Sequence, residues 1–221
     1  MTFANRTDAG QRLAAALASY VGRDVVVVGL PRGGVPVAFE VARALGAPLD
    51  VIVVRKLGVP FRPELGMGAV GEGDARVVNA DVVRIARISD QEIAEIERRE
   101  RDVVQRLAQC FRGNSAPVPL AGRIVIVVDD GVATGSTARA ACQVARAHGA
   151  AEVVLAVPVG PPGLEQQLRP DADSVICLSA PSDFHAVGQV YADFAQISDE
   201  QVNELLGRAA ERQGAPRRTR P

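Results

Sequence analysis

Two adjacent carboxylates, Asp129 and Asp130, are followed directly by a turn of small and hydroxyl-bearing residues, 131–137. Carboxylate oxygens accept hydrogen bonds, so a neighbouring pair can bind the two hydroxyls of a sugar and share a hydrated divalent cation. Helical spacing begins at Ala138, and the backbone N–H groups where a turn enters a helix bind anions such as phosphate. These residues predict a site for a ribose 5-phosphate group. The alternative is an ordinary turn whose acids cap the helix.

A buried strand and a helix are needed to hold this turn. Residues 124–128 form an unbroken β-branched run that is typical of a strand buried on both faces, and residues 138–147 have helical spacing. In an open parallel sheet, ligands bind beyond the carboxyl ends of the strands, where the two acids would lie. Two other phosphate-binding motifs do not fit, because Ser136 replaces the lysine of a Walker loop and the segment lacks the G-x-G-x-x-G dinucleotide pattern.

Two further predicted strands, 25–28 and 49–54, each lead into cationic residues. These residues are Arg32 with the glycine pair Gly33 and Gly34 after the first strand, and Arg55 with Lys56 after the second. Parallel strands end at the same edge of a sheet, so the cations would face the acids and could neutralise a polyanion. The alternatives are a glycine-rich connection with a surface arginine and a solvated pair of cations.

Residues 127–137 resemble the phosphoribosyl-diphosphate (PRPP) signature of type I phosphoribosyltransferases, with both acids and the Thr-Gly-Ser-Thr turn in place. The resemblance implies that Asp129 and Asp130 hold the ribose hydroxyls. It implies a 5-phosphate site made of Ala133, Thr134, Gly135, Ser136 and Thr137. It also implies a pyrophosphate site, with an unusual peptide geometry in its first loop, made of Arg32, Gly33, Gly34, Arg55 and Lys56.

Enzymes of this family transfer the ribose 5-phosphate of PRPP to a nitrogen nucleophile, commonly a nucleobase, and release pyrophosphate. By this resemblance Asp129, Asp130 and Lys56 are catalytic, and Glu72 is a catalytic candidate that would contact the incoming base. The alternative for Glu72 is an exposed loop acid. Magnesium would be bound through PRPP, with no direct protein ligand beyond the two aspartates. The 6-oxopurine enzymes carry an aspartate where this chain has Ala133, so the turn is closer to that of the adenine enzymes.

Alternating strands and helices predict an α/β fold in which helices flank a parallel sheet. The resemblance adds a small hood subdomain, built from parts of residues 1–20, 80–115 and 180–210. It also adds a flexible glycine-rich loop over residues 58–74, which would be either a functional lid or a hairpin with a mobile tip. Several further segments resemble a bacterial subgroup of predicted phosphoribosyltransferases, so the resemblance spans nearly the whole chain.

Residues 179–194 concentrate aromatic side chains in a chain that has few of them. An exposed aromatic ring can stack on a planar base, and a polar side chain beside it can bind the edge of that base. Phe184, His185 and Tyr191 are therefore candidates for contact with the acceptor base. The alternative is that these aromatic residues belong to the core.

The 221 residues carry 25 basic and 26 acidic side chains, so the chain has no overall positive field that would attract nucleic acid. The first residues carry no signal-peptide core and no apolar run reaches membrane-spanning length, so we expect a cytoplasmic protein without membrane contact. We expect one domain over residues 1–210 and a basic, disordered tail over 211–221. The three cysteines are expected to be buried thiols in a reducing compartment.

The resemblance implies a role in nucleotide metabolism, with PRPP and a base or amine acceptor as partners and a homodimer as the assembly. A second hypothesis is a PRPP-responsive regulator that binds its ligand without turnover. Such a regulator would be expected to add a nucleic-acid surface, and no basic stripe with interleaved aromatic residues is visible. The cations on the predicted pyrophosphate side also favour catalysis.

Overall fold

The computed structural model describes residues 1–113 and 115–214. The helices are α1 (Arg6–Ala16), α2 (Gly34–Leu45), α3 (Ala80–Ala86), α4 (Asp90–Arg112), α5 (Ser136–Ala147), α6 (Leu164–Leu168) and α7 (Asp199–Gly214). The strands are β1 (Val25–Gly29), β2 (Leu49–Val51), β3 (Val54–Val59), β4 (Arg62–Gly71), β5 (Arg76–Val78), β6 (Ile124–Val128), β7 (Glu152–Val159) and β8 (Ser174–Ser179). Two short 3-10 helices are also present, Ala18–Tyr20 and Val187–Val190.

Five strands form a parallel sheet in the order β2-β1-β6-β7-β8, which confirms the predicted α/β architecture. Strand β6 lies between β1 and β7, and Gly29 of β1 is in register with Val128 of β6. The β-branched runs form β1, β6 and β7 because helices cover both faces of the sheet, so nearly every side chain of these three strands is buried. The shared carboxyl edge therefore holds the loop after β1 beside the acids that follow β6.

Each face of the parallel sheet has its own apolar core. On one face, Val144 of α5 shares a buried cluster with Val127 of β6. On the other face, Leu13 of α1 and Val37 of α2 share a cluster with Ile126 of β6. Because β6 is packed from both sides, its carboxyl end is a fixed base for the residues that follow it.

Of the two forms expected for the glycine-rich segment, the structure has the hairpin. Strands β3, β4 and β5 form a separate antiparallel sheet, and residues 60–61 make the turn between β3 and β4. Leu57, Val59 and Met67 are fully buried and share a cluster with Ile96 and Val104 of α4. The apolar residues between the glycines bury against α4, which makes this segment a strand pair rather than a long loop.

The segments assigned to a hood differ in their packing partners. Helix α4 contacts α7 and the β3–β4 hairpin, whereas α1 packs mainly on α2. The extent of a hood therefore stays a prediction. The predicted tail boundary falls inside α7, which continues to Gly214, and residues 215–221 lie outside the described residues.

The cysteines occupy three different environments. Cys142 is buried and Cys177 is partly buried, whereas Cys110 is exposed on α4, so the expectation of a buried thiol fails for Cys110. Burial raises the pKa of the Cys142 thiol to about 12, which keeps that thiol protonated. None of the helices in the described part of the chain combines the length and the apolar character that crossing a bilayer requires.

Candidate active site

The turn after β6 has the geometry of an anion site. Gly135 adopts a left-handed conformation with φ of 80°, which glycine reaches at little cost, and α5 begins at the next residue, Ser136. The side-chain oxygens of Thr134 and Ser136 lie 3.3 Å apart, and both residues are exposed, as are Ala133 and Thr137. The turn therefore presents its hydroxyls, together with the N–H groups of the first turn of α5, as a phosphate site requires.

Gln167 of α6 supports this turn. Its Nε2 donates a hydrogen bond of 2.9 Å to the carbonyl oxygen of Thr134. The bond restrains the turn because it ties one of its carbonyl groups to a separate helix. Sequence reasoning missed Gln167, and nothing in its local pattern could have indicated the role, since the contact joins two different elements.

The carboxylates of Asp129 and Asp130 are crowded together at the end of β6. The N–H of Asp130 donates to Oδ1 of Asp129 over 2.9 Å, and Asp130 as a whole is only 9% exposed. Burial raises the pKa of Asp129 well above the ordinary aspartate value, and the charge of Asp130 raises it further. Burial also raises the pKa of Asp130, while the guanidinium of Arg6 opposes that shift. Crowded carboxylates with raised pKa values are typical of functional sites.

The loop after β1 lies directly against the two acids. The peptide bond before Arg32 is cis, in agreement with the unusual geometry that the resemblance implies. A β-carbon added to Gly33 would stand 2.0 Å from Oδ2 of Asp130, and one added to Gly34 would stand 2.6 Å from the carbonyl oxygen of Val128. Glycine is therefore required at both positions, because the absence of a side chain lets the backbone of this loop approach the end of β6 and its acids closely.

A cleft of about 800 Å³ joins the turn to the predicted cation pair of Arg55 and Lys56. Its lining includes Thr134, Ser136 and Thr137 from the turn, and Arg55 and Lys56 from β3. Nε of Arg55 donates to Oε2 of Glu100 on α4 over 2.8 Å, so a bound anion would compete with this carboxylate. The structure thus brings the predicted phosphate turn and the predicted cation pair to one cleft.

Arg32 lines a second, smaller cavity. Its Nε donates to Oδ1 of Asp199, at the start of α7, over 2.6 Å. The cavity has a volume of about 410 Å³ and is also lined by Arg6, Gly33, Asp130 and Phe194. Arg32 is therefore close to the acids, but its guanidinium is already paired with a carboxylate.

The structure does not bring Glu72 to the cleft, contrary to its place among the catalytic candidates. Glu72 forms an ion pair with Arg112, whose Nε also donates to Oδ1 of Asp50 over 2.6 Å. These three residues line a separate cavity of about 450 Å³. The cause is the position of β4 along α5. Strand β4 ends at Gly71, which lies against Val144 in the C-terminal part of α5, whereas the phosphate turn precedes the N-terminal end of this helix.

The three aromatic-segment candidates for base contact differ in their surroundings. Tyr191 is 7% exposed, its ring stacks with Phe194, and its hydroxyl donates to the carbonyl oxygen of Asp130 over 2.6 Å. This residue therefore belongs to the core, and it offers no free face to a base. Phe184 is partly buried and packs against the apolar cluster that contains Tyr191, whereas His185 is exposed. Base contact by Phe184 or His185 stays a prediction.

The donor set fits a magnesium ion that is shared with a phosphate ligand. Magnesium prefers oxygen ligands and often binds through one or two carboxylates, taking its remaining ligands from phosphates and water. Among the residues that the structure describes, no group of three or more His, Cys, Asp or Glu side chains could hold a metal ion. Asp129 and Asp130 supply two carboxylates at one place, which is the number such a shared site needs.

Comparison with known proteins agrees with this geometry. Residues 72–195 match the family model of the phosphoribosyl transferase domain, so the chain belongs to that family. "Putative phosphoribosyl transferase Rv0571c" from Mycobacterium tuberculosis is 56% identical over 207 residues, which are 94% of this chain and 47% of that protein. The chain thus spans about half the length of the curated relatives that it matches.

A solved structure shares the whole fold. The crystal structure of TT1426 from Thermus thermophilus is 45% identical, with a TM-score of 0.85, over 93% of this chain and 98% of that one. The family model includes the acids and the phosphate turn but begins at residue 72, after the loop that carries Arg32 and the strand that carries Arg55. The assignment of these two segments therefore depends on their position in the structure.

Proposed function

We propose that this protein is a magnesium-dependent phosphoribosyltransferase, which moves the ribose 5-phosphate of PRPP to a nitrogen nucleophile, a nucleobase, and releases pyrophosphate. The observation that carries the proposal is that the crowded acids, the phosphate turn and the β1–α2 loop lie at the carboxyl edge of one parallel sheet, and that the cation pair of β3 lines the same cleft as the turn. Ligands of open parallel sheets bind at this edge. Membership of the phosphoribosyl transferase domain family supports the same class of reaction.

In this proposal the three parts of PRPP have separate sites. The 5-phosphate binds the first turn of α5 through backbone N–H groups and the hydroxyls of residues 134–137. Asp129 and Asp130 accept hydrogen bonds from the two ribose hydroxyls. The pyrophosphate extends along the cleft to the cation pair of β3, where Arg55 exchanges the carboxylate of Glu100 for a phosphate oxygen.

The reaction breaks the bond between C1 of the ribose and a pyrophosphate oxygen and forms a C1–N bond on the opposite face, with inversion at C1. The nucleophile gives up its proton to water or to the released pyrophosphate. Positive charge develops on the ribose ring, and the carboxylates of Asp129 and Asp130 stabilise it. Lys56 and Arg55 stabilise the negative charge that develops on the leaving pyrophosphate. When bound, magnesium neutralises part of the same charge.

A second candidate function is PRPP binding without turnover, as in a regulator or sensor. The observation that favours it is the pairing of Arg32 with Asp199 and of Arg55 with Glu100. Both arginines of the predicted pyrophosphate site thus have carboxylate partners, which lower the attraction of this side of the site for an anion. The Gly33–Gly34 backbone, which lies against Asp130 and can donate the N–H group of Gly33 to a pyrophosphate, still favours the transferase.

The decisive experiment measures pyrophosphate release from PRPP with magnesium, across a panel of nucleobases and amines, beside calorimetric titration of PRPP. The transferase proposal expects release with at least one acceptor and none from the double variant Asp129→Asn with Asp130→Asn, which should keep its fold. Asp81→Asn is the control, because the side chain of Asp81 is 78% exposed and pairs with Arg84 at the surface.

Three outcomes separate the candidates. Binding without release for every acceptor would favour the regulator. No binding of PRPP by the unaltered protein would refute both functions. Unchanged release from the double variant would refute the role given to the two aspartates, because a diol site cannot lose both carboxylates without a large loss of binding.

A further inference from the structure

Gln167 reaches the phosphate turn from α6, and its contact falls on one particular peptide group. Its Nε2 donates to the carbonyl oxygen of Thr134 over 2.9 Å. The peptide bond between Thr134 and Gly135 is trans, so its C=O and N–H groups point in opposite directions. A hydrogen bond that fixes the carbonyl of Thr134 toward α6 therefore also fixes the N–H of Gly135 away from α6.

The N–H of Gly135 has no acceptor among the residues that the structure describes. Gly135 is itself a buried residue, and buried N–H groups are almost always paired in folded proteins. The hydroxyls of Thr134 and Ser136, its two neighbours in the chain, lie 3.3 Å apart and are exposed. An anion bound at the start of α5 would supply the acceptor that this N–H lacks.

Polar contacts between α5 and the segment of α6 hold Gln167 in place. Nη2 of Arg139, on α5, donates to the carbonyl oxygen of Gln167 over 3.1 Å, and Nε of Arg139 pairs with Oδ2 of Asp171 over 3.0 Å. Nε2 of Gln143 donates to Oδ1 of the same aspartate over 2.6 Å. The side chain of Asp171 is only 9% exposed, so it joins the two segments at a largely buried point.

Apolar packing places α6 directly behind the turn. Leu164 and Leu168 of α6 are buried in the cluster that contains Val127 of β6. A β-carbon added to Gly135 would stand 3.1 Å from Nε2 of Gln167 and 3.6 Å from the side chain of Leu168. The turn is therefore in close contact with a helix whose own position is fixed from two sides.

We propose that Gln167 is a positioning residue for the 5-phosphate, because by holding the carbonyl of Thr134 it aims the N–H of Gly135 at a phosphate oxygen. The proposal rests on the proposed function, since it assigns the turn to the 5-phosphate of PRPP. Gln167 itself does not touch the ligand. Glycine reaches many backbone conformations, so the peptide before Gly135 needs an outside contact to keep one orientation.

This role differs from a structural one in which ligands it affects. A contact that only stabilises the fold would change the binding of every ligand alike, or of none. The positioning role predicts weaker binding of a sugar phosphate and unchanged binding of pyrophosphate. In the proposed function, pyrophosphate binds the cation pair of β3, at the other end of the cleft of about 800 Å³.

The test compares Gln167→Met, which keeps the length of the side chain but has no N–H donor, with Gln166→Met. Gln166 is the matched control, because it is an exposed glutamine on the same helix whose Oε1 lies beside Gly163. The Thr-Gly pair occurs once in the sequence, so ¹³C at threonine carbonyls and ¹⁵N at glycine isolate the amide signal of Gly135. Ribose 5-phosphate, PRPP and pyrophosphate are titrated with magnesium by NMR and by calorimetry.

We expect ribose 5-phosphate to move the Gly135 amide proton downfield in the unaltered protein and in Gln166→Met, and Gln167→Met to lose most of this shift. Gln167→Met should bind ribose 5-phosphate and PRPP roughly tenfold more weakly, since a hydrogen bond to a charged group contributes strongly to binding. Its affinity for magnesium pyrophosphate should not change. Gln167→Asn, whose amide is one carbon further from Thr134, should behave as Gln167→Met does.

Equal affinity for ribose 5-phosphate in Gln167→Met and the unaltered protein would overturn the proposal, as would a Gly135 amide that does not respond to the bound ligand. An equal loss in Gln166→Met, or an equal loss for pyrophosphate, would also overturn it, because either result indicates a general effect on the fold. If Gln167→Met does not fold, Gln167→Asn decides by the same criteria.

The same titrations separate this proposal from the proposed function. If ribose 5-phosphate binds as expected but no acceptor gives pyrophosphate release, the transferase fails and the role of Gln167 stands. If none of the three ligands binds the unaltered protein, both proposals are refuted.

Discussion

Two arginines whose side chains are about 10% exposed pair with carboxylates in this molecule, and the acids of the two clusters differ in how many hydrogen bonds they receive. Arg112 donates through Nε to Oδ1 of Asp50 and through Nη2 to the carbonyl oxygen of Val51, and it also pairs with Glu72. Asp50 receives two further hydrogen bonds, from the N–H groups of Val51 and Val118. One arginine here bridges two separated acids, and the donors around Asp50 use both of its oxygens.

The cluster around Arg6 has fewer donors for a more crowded pair of acids. Asp130 receives the guanidinium of Arg6, while Asp129 accepts a hydrogen bond from the N–H of Asp130. The two carboxylates are adjacent, and burial together with their mutual repulsion raises the pKa of Asp129. An acid whose oxygens already accept hydrogen bonds from the protein stabilises the fold, whereas crowded acids whose oxygens can still accept hydrogen bonds are suited to a ligand. This difference separates a structural ion network from a candidate active site.

Removal of Arg112 should produce the largest effect on stability. Arg112→Met would leave Asp50 and Glu72 without their shared cation, and breaking a buried ion pair costs about 3–5 kcal/mol of unfolding free energy. Urea unfolding followed by circular dichroism measures the change. Arg84→Met is the control, because Arg84 pairs with Asp81 at the surface and its loss should cost less than about 1 kcal/mol. A loss below about 1 kcal/mol in Arg112→Met would remove the distinction between the clusters.

A methyl group at Gly33 should disturb the other cluster. The β-carbon of Gly33→Ala would stand 2.0 Å from Oδ2 of Asp130, so the loop or the acid must move. Overpacking of this kind costs about 1–3 kcal/mol of stability, and the displaced Asp130 should lose most of its PRPP affinity. Gly207→Ala on α7 is the matched control, since a β-carbon there meets no atom within 4 Å. PRPP binding by Gly33→Ala that equals that of the control would contradict the proposed contact.

Asp129→Asn should stabilise the protein at neutral pH. A carboxyl whose pKa is higher in the folded chain binds its proton more tightly there, so its ionisation lowers stability as the pH rises through that pKa. The asparagine cannot ionise, and we expect a gain of about 1–2 kcal/mol above neutral pH, together with loss of turnover. The gain should vanish as the pH falls toward the ordinary aspartate range. Unfolding measured at several pH values checks this, and a gain that does not depend on pH would contradict it.

The candidate site could be predicted from the sequence where its parts are local. The valine and isoleucine run of residues 124–128, the two acids and the glycine turn lie within one strand-turn-helix unit, and that unit has the predicted form. Arg6 and Gln167 could not be predicted, because Arg6 meets Asp130 across 124 residues and Gln167 meets Thr134 across 33. Contacts of this kind depend on how the helices pack, and no periodicity in one segment reports that.

The catalytic role predicted for Glu72 depended on the composition of its segment. A glutamate in a glycine-rich segment next to a predicted cleft has the composition of a mobile catalytic loop. Burial of the apolar residues of β3 and β4 against α4 fixes the hairpin instead, and the turn after β4 lies beside Arg112. Tyr191 shows the same limit, since the composition of its segment does not indicate that its hydroxyl donates to the carbonyl oxygen of Asp130.

Glu72→Gln is the smallest change that tests the comparison, and it should leave turnover unaltered. Glutamine keeps the shape and can still accept a hydrogen bond from Arg112, while Asp50 continues to neutralise that guanidinium. We therefore expect a loss of about 1 kcal/mol of unfolding free energy, measured with urea. Pyrophosphate release should match that of the unaltered protein at every pH, because Glu72 lines the cavity of about 450 Å³ and not the cleft that holds the phosphate turn. A drop in release of roughly a hundredfold or more, the size of a lost general acid or base, would return Glu72 to the catalytic residues and make the Arg112 cluster part of the active site.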